Sequence, residues 1–195
     1  MTAAAAAGTV GAALLLTLAP AYAAAQELIL RCDPSQTMAR WTLDATLHTV
    51  SGDFKLKRGE IQFHPTSGET SGKIVFDATS GQSGNSSRDS KMHRVVLESR
   101  QYPEISFRPD HTAGQINPGE VSTVEVHGTF AIHGSDHEIA VPVEVRLEAD
   151  HWSAAAQFSV PYVAWGMKNP STFFLRVADS VEVEMRAAGE VSRSP

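Results

Sequence analysis

The sequence contains a single cysteine, Cys32, so no intramolecular disulfide is available and the fold rests on its core alone. Arg31 precedes Cys32, and small residues at the end of an apolar run do not, so this is not the setting of a lipid-attachment cysteine. The thiol reads as incidental, with oxidative pairing into a homodimer as its one open role. Positive charge is also scarce. Sixteen Lys and Arg face 22 Asp and Glu, giving a net charge of -6, and no basic run is interleaved with aromatics. That balance argues against a nucleic-acid partner. The motifs of common enzymes are missing too: there is no G-x-S-x-G elbow, no P-loop, no G-x-G-x-x-G and no H-E-x-x-H. Without a nucleophile and base at recognisable spacing, a non-catalytic protein is expected.

Long hydrophobic runs are confined to the start. Residues 1–25 are almost all small or apolar, with a centre at Val10 to Leu18 and then Ala-Tyr-Ala-Ala-Ala. The centre is too short to span a bilayer, and the small residues suit signal peptidase, so we expect a signal peptide over 1–25. Residues 26–195 then form one exported domain, periplasmic or secreted, with no stable membrane insertion. Its length is ample for one core.

What the mature chain has in abundance is alternation. Trp41, Leu43, Ala45 and Leu47 fall on one side of an extended segment, and Thr42, Asp44, Thr46 and His48 on the other. Phe54 and Leu56, then Ile61 and Phe63, then Ile74 and Phe76 continue the pattern. Ile105 and Phe107 are expected inside, with Glu104, Ser106 and Arg108 outside. Val124, Val126, Gly128, Phe130 and Ile132 make one row of a long hairpin, reversed at His133 to Asp136, and Ile139, Val141, Val143, Val145 and Leu147 make the other. Pro142 lacks an amide proton and marks an edge or irregularity. Trp152 to Val160 and Val181 to Ala187 add the last strands. Eight to ten strands with short turns define an all-β antiparallel sandwich or barrel.

One stretch breaks the period of two. Between Asn85 and Phe107, Met92, Val95, Val96 and Ser99 fall at helical spacing, with Asp89 or Ser90 as N-cap and Pro103 ending the run. A short helix in a β chain needs an apolar surface, and the open end of a curled sheet supplies one, like a lid on a barrel. The small inward residues Ala45, Gly128, Ala154, Ala156 and Ala187 then have two readings. Either they leave room for a ligand inside, or they let the walls pack closely.

Several short motifs recur in a definite order. They are Gly52 with Phe54; Gly59, Ile61 and Phe63; Arg88-Asp89; Tyr102-Pro103 with Ile105 and Phe107; Val126-His127-Gly128-Thr129-Phe130 closed by Gly134; and Trp165-Gly166. Together, from Trp41 to the final strand, they resemble the YceI-like family of exported lipid-binding proteins. The resemblance implies an extended, lipocalin-like barrel of about eight strands with one short helix, holding a polyisoprenoid, isoprenoid quinone or fatty-acyl chain. Where members of that family carry an aromatic pair on the helical segment, this chain has Val95, Val96 and Leu97.

The wall residues expected to touch such a lipid are Phe54, Ile74, Phe76, Phe107 and Val126, followed by Phe130, Val143, Phe158 and Met185. Met92, Val96 and Trp165 are expected at the mouth. No cofactor is expected. His133, Asp136 and His137 share one turn and bring metal-ligand types together, but a solvated turn is the stronger reading, as no further ligands appear at suitable spacing. Arg88 and Asp89 are expected to fix the start of the helix rather than act on a substrate. The sequence thus points to a protein that sequesters or carries an apolar chain lipid. The alternative is a self-filled barrel whose outer surface binds partners.

Overall fold

The structure, a computed structural model, describes residues 26–46 and 48–194. The expected leader over 1–25 and the inward position assigned to Leu47 lie outside the described residues. Nine strands follow one another: β1 (Leu28–Cys32), β2 (Met38–Asp44), β3 (Thr49–Phe63), β4 (Thr70–Gln82), β5 (Glu104–Ala113), β6 (Val121–Ile132), β7 (Ser135–Leu147), β8 (His151–Val160) and β9 (Val181–Arg193). Helix α1 (Ser86–Lys91) and a π-helical turn (Met92–Val96) stand between β4 and β5.

Strands β2 to β9 pair antiparallel in sequence order, and β9 returns to β2, so the sheet closes on itself. Strand β1 adds no ninth position. It lies in the same gap as β2, pairing with the far halves of β3 and β9. The result is a closed eight-stranded antiparallel barrel with one short helix.

The break between β1 and β2 is stitched to β9. The Asp33 amide donates to Ala188 O at 2.8 Å, and the Thr37 hydroxyl meets both the amide and the carbonyl of Ala188 at 3.3 Å. The Asp33 carboxylate accepts from the Ser35 amide, the Ser35 hydroxyl and Gln36 Nε2, which holds the five-residue detour in a tight turn and lowers the pKa of Asp33. Gly189 faces this detour, and a Cβ there would stand 1.8 Å from Arg31 O. Only glycine lets the two backbones come so close.

Bulges explain why the inward row changes parity. In β3 the inward row runs through buried Val50, half-buried Phe54 and buried Leu56 up to a register shift at Leu56/Arg58, and through Ile61 and Phe63 after it. In β5 a shift at Pro109/His111 moves the row from Ile105 and Phe107 to Thr112. Each bulge inserts one residue, bends the strand and increases its twist, which lets long strands wrap a barrel. Ser106, expected outside, is buried at 4% exposure. The expected irregularity at Pro142 is present: β7 pairs with β8 only from Val143 to Leu147, and the ladder stops beside the residue that has no N–H to give.

The barrel has two unlike poles. At one, short turns join β3 to β4, β5 to β6 and β7 to β8; there Leu28 pairs with Arg193, and the Ser194 amide donates to Glu27 O at 3.0 Å. At the other stand the long connections 83–103 and 161–180.

On the outer face, Glu104 of β5 receives Lys57 Nζ at 2.9 Å and Arg58 Nη1 at 3.1 Å, a clamp that crosses β4. The hydrogen bond from Lys57, then that from Arg58, hold the Glu104 carboxyl down to about 2. A depressed carboxyl contributes stability above its unfolded pKa and loses it on protonation, here as pH falls from 4.5 towards 2. Chemical denaturation at graded pH is expected to show Glu104→Gln lacking about 1 kcal/mol of the wild-type stability loss in that window; parallel curves for the two proteins would refute the clamp. Gly189→Ala is expected to destabilise the barrel by more than about 2 kcal/mol, because backbone must move at the closing seam. An unchanged melting temperature would show that the seam is not tight.

Candidate functional site

The barrel encloses a cavity of about 910 Å³. Its wall is built from the inward rows, with Ile139, Val141, Val143 and Val145 of β7 all lining it in succession. Lining residues run from Val124 to Ile132 on β6, which at about 3.4 Å per residue and about 40° of tilt makes the cavity roughly 20 Å long. Ala45, Ala154, Ala156 and Ala187 all line it, so these small residues do leave space inside. Gly128 is different. A Cβ there would lie 2.3 Å from Arg108 O and 2.7 Å from Pro109 Cα, so its smallness serves the close approach of β5 at its bulge.

The deep end offers a ligand no free polar partner from its two threonines. Thr70 and Thr112 are buried with hydroxyls 2.8 Å apart, and Thr70 Oγ1 donates onward to Gly68 O at 2.9 Å. The lining Trp152 donates its indole N–H to Arg31 O. Trp41 also lines the cavity, and its buried indole N–H has no hydrogen-bond partner among the described residues, in walls that are otherwise mainly aliphatic and aromatic.

Helix α1 and the π-helical turn form the lid, and their local chemistry differs from the expected cap. The N-cap is Asn85, whose side chain accepts from the Arg88 amide at 3.0 Å, four or five positions before the expected Asp89 or Ser90. Asp89 instead accepts from the amide and hydroxyl of Ser83, while Arg88 donates to the Ser83 hydroxyl at 2.7 Å and carbonyl at 3.0 Å. The Arg-Asp pair thus grips the turn that enters the helix. From Met92 the helix widens, with the Leu97 amide donating to Met92 O at 2.9 Å. His93 ties it to the wall: Gly81 O only accepts, so Nε2 donates to it at 2.9 Å and Nδ1 takes the Ser99 hydroxyl at 3.0 Å. Gly81 leaves room for Phe54 and Met92 to meet, since a Cβ there would touch both.

The second rim is the connection 161–180, which contributes Tyr162, Met167, Pro170, Leu175 and Val177 to the lining. Lys91 Nζ donates to Pro170 O at 2.6 Å and joins lid to rim. The Tyr162 hydroxyl donates to Ala178 O at 2.8 Å, and burial, with Asp179 nearby, pushes its pKa up to about 12, so it presents a neutral ring to the cavity.

Of the residues singled out from sequence, Phe54, Ile74, Phe76, Phe107 and Val126 line this one cavity, as do Phe130, Val143, Phe158, Met185, Met92 and Val96. Trp165 does not. Its ring stacks on His137, with centroids 3.9 Å apart and planes within 6°, and lies 5.9 Å from Phe130. It stands in the connection 161–180 at the mouth pole and packs over the stretch where β7 and β8 have parted, rather than lining the cavity. Sequence reasoning passed over the lining rim residues Tyr162, Met167, Pro170, Leu175 and Val177, because an irregular connection has no period to read.

In the turn with metal-ligand residue types, His133 Nε2 pairs with Glu98 at 2.8 Å and Asp136 with Arg108 at 2.7 Å, while His137 stacks on Trp165 with its buried Nε2 unpartnered among the described residues. Among the described residues no three His, Cys, Asp or Glu are grouped to hold a metal ion. Cys32 packs over Gly59, and burial pushes its thiol up to about 11, away from the reactive thiolate.

A closed antiparallel barrel of eight strands around an apolar cavity, lidded at one end, has the architecture of the lipocalin-like barrels. Within that class the sequence is specific: the pattern of the YceI-like domain matches residues 30–188, and the chain belongs to the YceI-like family. Its fold is shared by BcnA from Burkholderia cenocepacia, at a TM-score of 0.70 and 17% identity over 81% of this chain and 99% of that one. A polyisoprenoid binding domain from Saccharophagus degradans, implicated in plant cell wall breakdown, aligns at 0.66 and 18% identity over 83% and 98%. A Campylobacter jejuni YCEI protein aligns at 0.61 and 15% identity over 74% and 86%. No curated protein matches the chain.

If Trp165 covers the parting of β7 and β8, Trp165→Ala will speed amide hydrogen exchange in residues 135–142 and 157–160 while leaving β4 and β5 unchanged. Unaltered exchange across that seam would mean that the ring is ornamental there.

Proposed function

We propose that the protein is an exported, non-catalytic binding protein that sequesters or carries one apolar chain lipid inside the barrel. The carrying observation is the cavity of about 910 Å³, elongated and walled by aliphatic and aromatic side chains. Its size falls in the range of ligand-binding cavities. The energetics need no reactive group: each buried CH2 contributes about 0.8 kcal/mol, so roughly ten supply about 8 kcal/mol before ordering costs. A polyisoprenoid, an isoprenoid quinone or a fatty-acyl compound meets that requirement, and the polyisoprenoid binding domain of Saccharophagus degradans has the same fold. The lid adds Asn85, Arg88, Lys91 and Arg94 to the lining, and the head of an amphiphile would lie beside them.

The family and the apolar leader over 1–25 support export to the periplasm or the exterior, with Gln26 as the first residue of the mature protein. A self-filled barrel is disfavoured by the volume within it. Homodimerisation through Cys32 is disfavoured by the thiol's packing, and a closed barrel offers few free strand edges for pairing.

Native mass spectrometry of protein purified without detergent, followed by organic extraction, is expected to release a long-chain isoprenoid or acyl compound in stoichiometric amount. Ala156→Phe should reduce retained ligand about tenfold, since the ring displaces roughly two methylene equivalents from the cavity. A barrel that stays ligand-free when offered quinones, polyprenols and fatty-acyl amides would overturn the lipid reading.

A further inference from the structure

The pole that carries the mouth also carries the most exposed apolar side chains among the described residues. Phe173 and Phe174 are 93% and 88% exposed and meet edge to face at 5.1 Å. Both stand at the tip of a tight turn, closed by the Thr172 amide on Leu175 O at 2.8 Å and by the Leu175 amide on the Thr172 hydroxyl at 3.2 Å. The base of the turn is pinned as well, since Asn169 Nδ2 donates to Asp179 Oδ1 at 2.7 Å and to Val177 O at 3.2 Å. Leu175 and Val177 on the same connection line the cavity, whereas neither phenylalanine does. The fold therefore holds two aromatic rings out into solvent beside the opening.

The charge around them has the opposite sign to that of the molecule. Connections 83–103 and 161–180 hold six cations, Arg88, Lys91, Arg94, Arg100, Lys168 and Arg176, against Asp89, Glu98 and Asp179. That is a balance of +3 in a chain of net charge -6, which leaves -9 elsewhere. The three anions are already engaged by Ser83, His133 and Asn169. Arg94, Arg100, Lys168 and Arg176 are exposed and join no ion pair among the described residues.

We propose that this pole docks on an anionic phospholipid membrane, with Phe173 and Phe174 entering the acyl boundary and the cations lying among the headgroups. Protruding aromatics flanked by Lys and Arg are the chemistry of reversible interfacial binding. The charge asymmetry orients the approach, because the acidic flanks are repelled by the same surface that attracts the mouth. A second copy is a poorer occupant, since two such poles repel each other. The proposal extends the lipid-carrier reading: docking sets the cavity opening against the phase in which an apolar chain resides.

Sedimentation with large unilamellar vesicles tests it. The purified protein is expected to pellet with vesicles of phosphatidylcholine and phosphatidylglycerol, to pellet weakly with phosphatidylcholine alone, and to be released by about 0.5 M salt. Phe173→Ser with Phe174→Ser, and separately Lys168→Gln with Arg176→Gln, should each weaken vesicle binding about tenfold. None of the four lines the apolar walls by its side chain's known contacts except through the shared loop, so far-ultraviolet circular dichroism serves as the control for folding. Cargo retention is measured on the phenylalanine double variant in vesicle-free solution. A wild type that ignores anionic vesicles while holding lipid overturns docking alone. A protein that docks yet holds no lipid supports docking and sinks the carrier reading. Wild-type binding by the phenylalanine double variant, or a dimer in sedimentation velocity that this variant abolishes, also overturns the membrane proposal.

Discussion

Closure of the hydrogen-bond ladder is the constraint on which the rest of the molecule depends. A sheet with eight positions and no free edge fixes which residues face inward, and so fixes the interior before any side chain is chosen. The critical junction is the gap between β3 and β9, which β1 and β2 fill jointly. Asp33, Thr37 and Ala188 carry the ladder past the interruption, and Gly189 gives the backbone room to pass. Bulges in β3 and β5 supply the bending that closure demands.

A closed barrel of this size stands between two outcomes, filled or hollow. Here the balance is set by a few small side chains. Ala154, Ala156 and Ala187 lie on adjoining strands, where larger residues would meet across the axis. Retaining a cavity forgoes dispersion contacts that a packed core would make. The compensation comes from the ends, where the threonine pair, Trp152 and the lid satisfy their own polar groups and seal the walls.

Much of this was legible in the sequence because a strand has a period of two and a barrel wall obeys it. The rows of β6 to β9 could be written down residue by residue, and most of the expected contact residues share one cavity. What escaped has physical causes. Parity changes at bulges are invisible to a fixed period, as where the inward row of β5 passes from Phe107 to Thr112. Asn85 competes with Asp89 and Ser90 as a cap, and the local grip of Asp89 and Arg88 on Ser83 leaves the cap to Asn85. Gly128 looked like a void and is a close approach. Trp165 lies in a connection with no repeating pattern, and its partner His137 is revealed only by the parting of β7 from β8.

The meeting of the outer ends of β1 and β9 has a consequence for how the barrel can be handled. Leu28 and Arg193 are ladder partners, and Ser194 bonds to Glu27, all at the pole of short turns. Anything joined to either end, whether a leader, a tether or a fused domain, emerges about a full barrel length from the opening. The mouth stays unobstructed, and joining Leu28 to Arg193 directly would ask for only a brief linker, so the order of strands could be recut at a surface turn without disturbing the chamber.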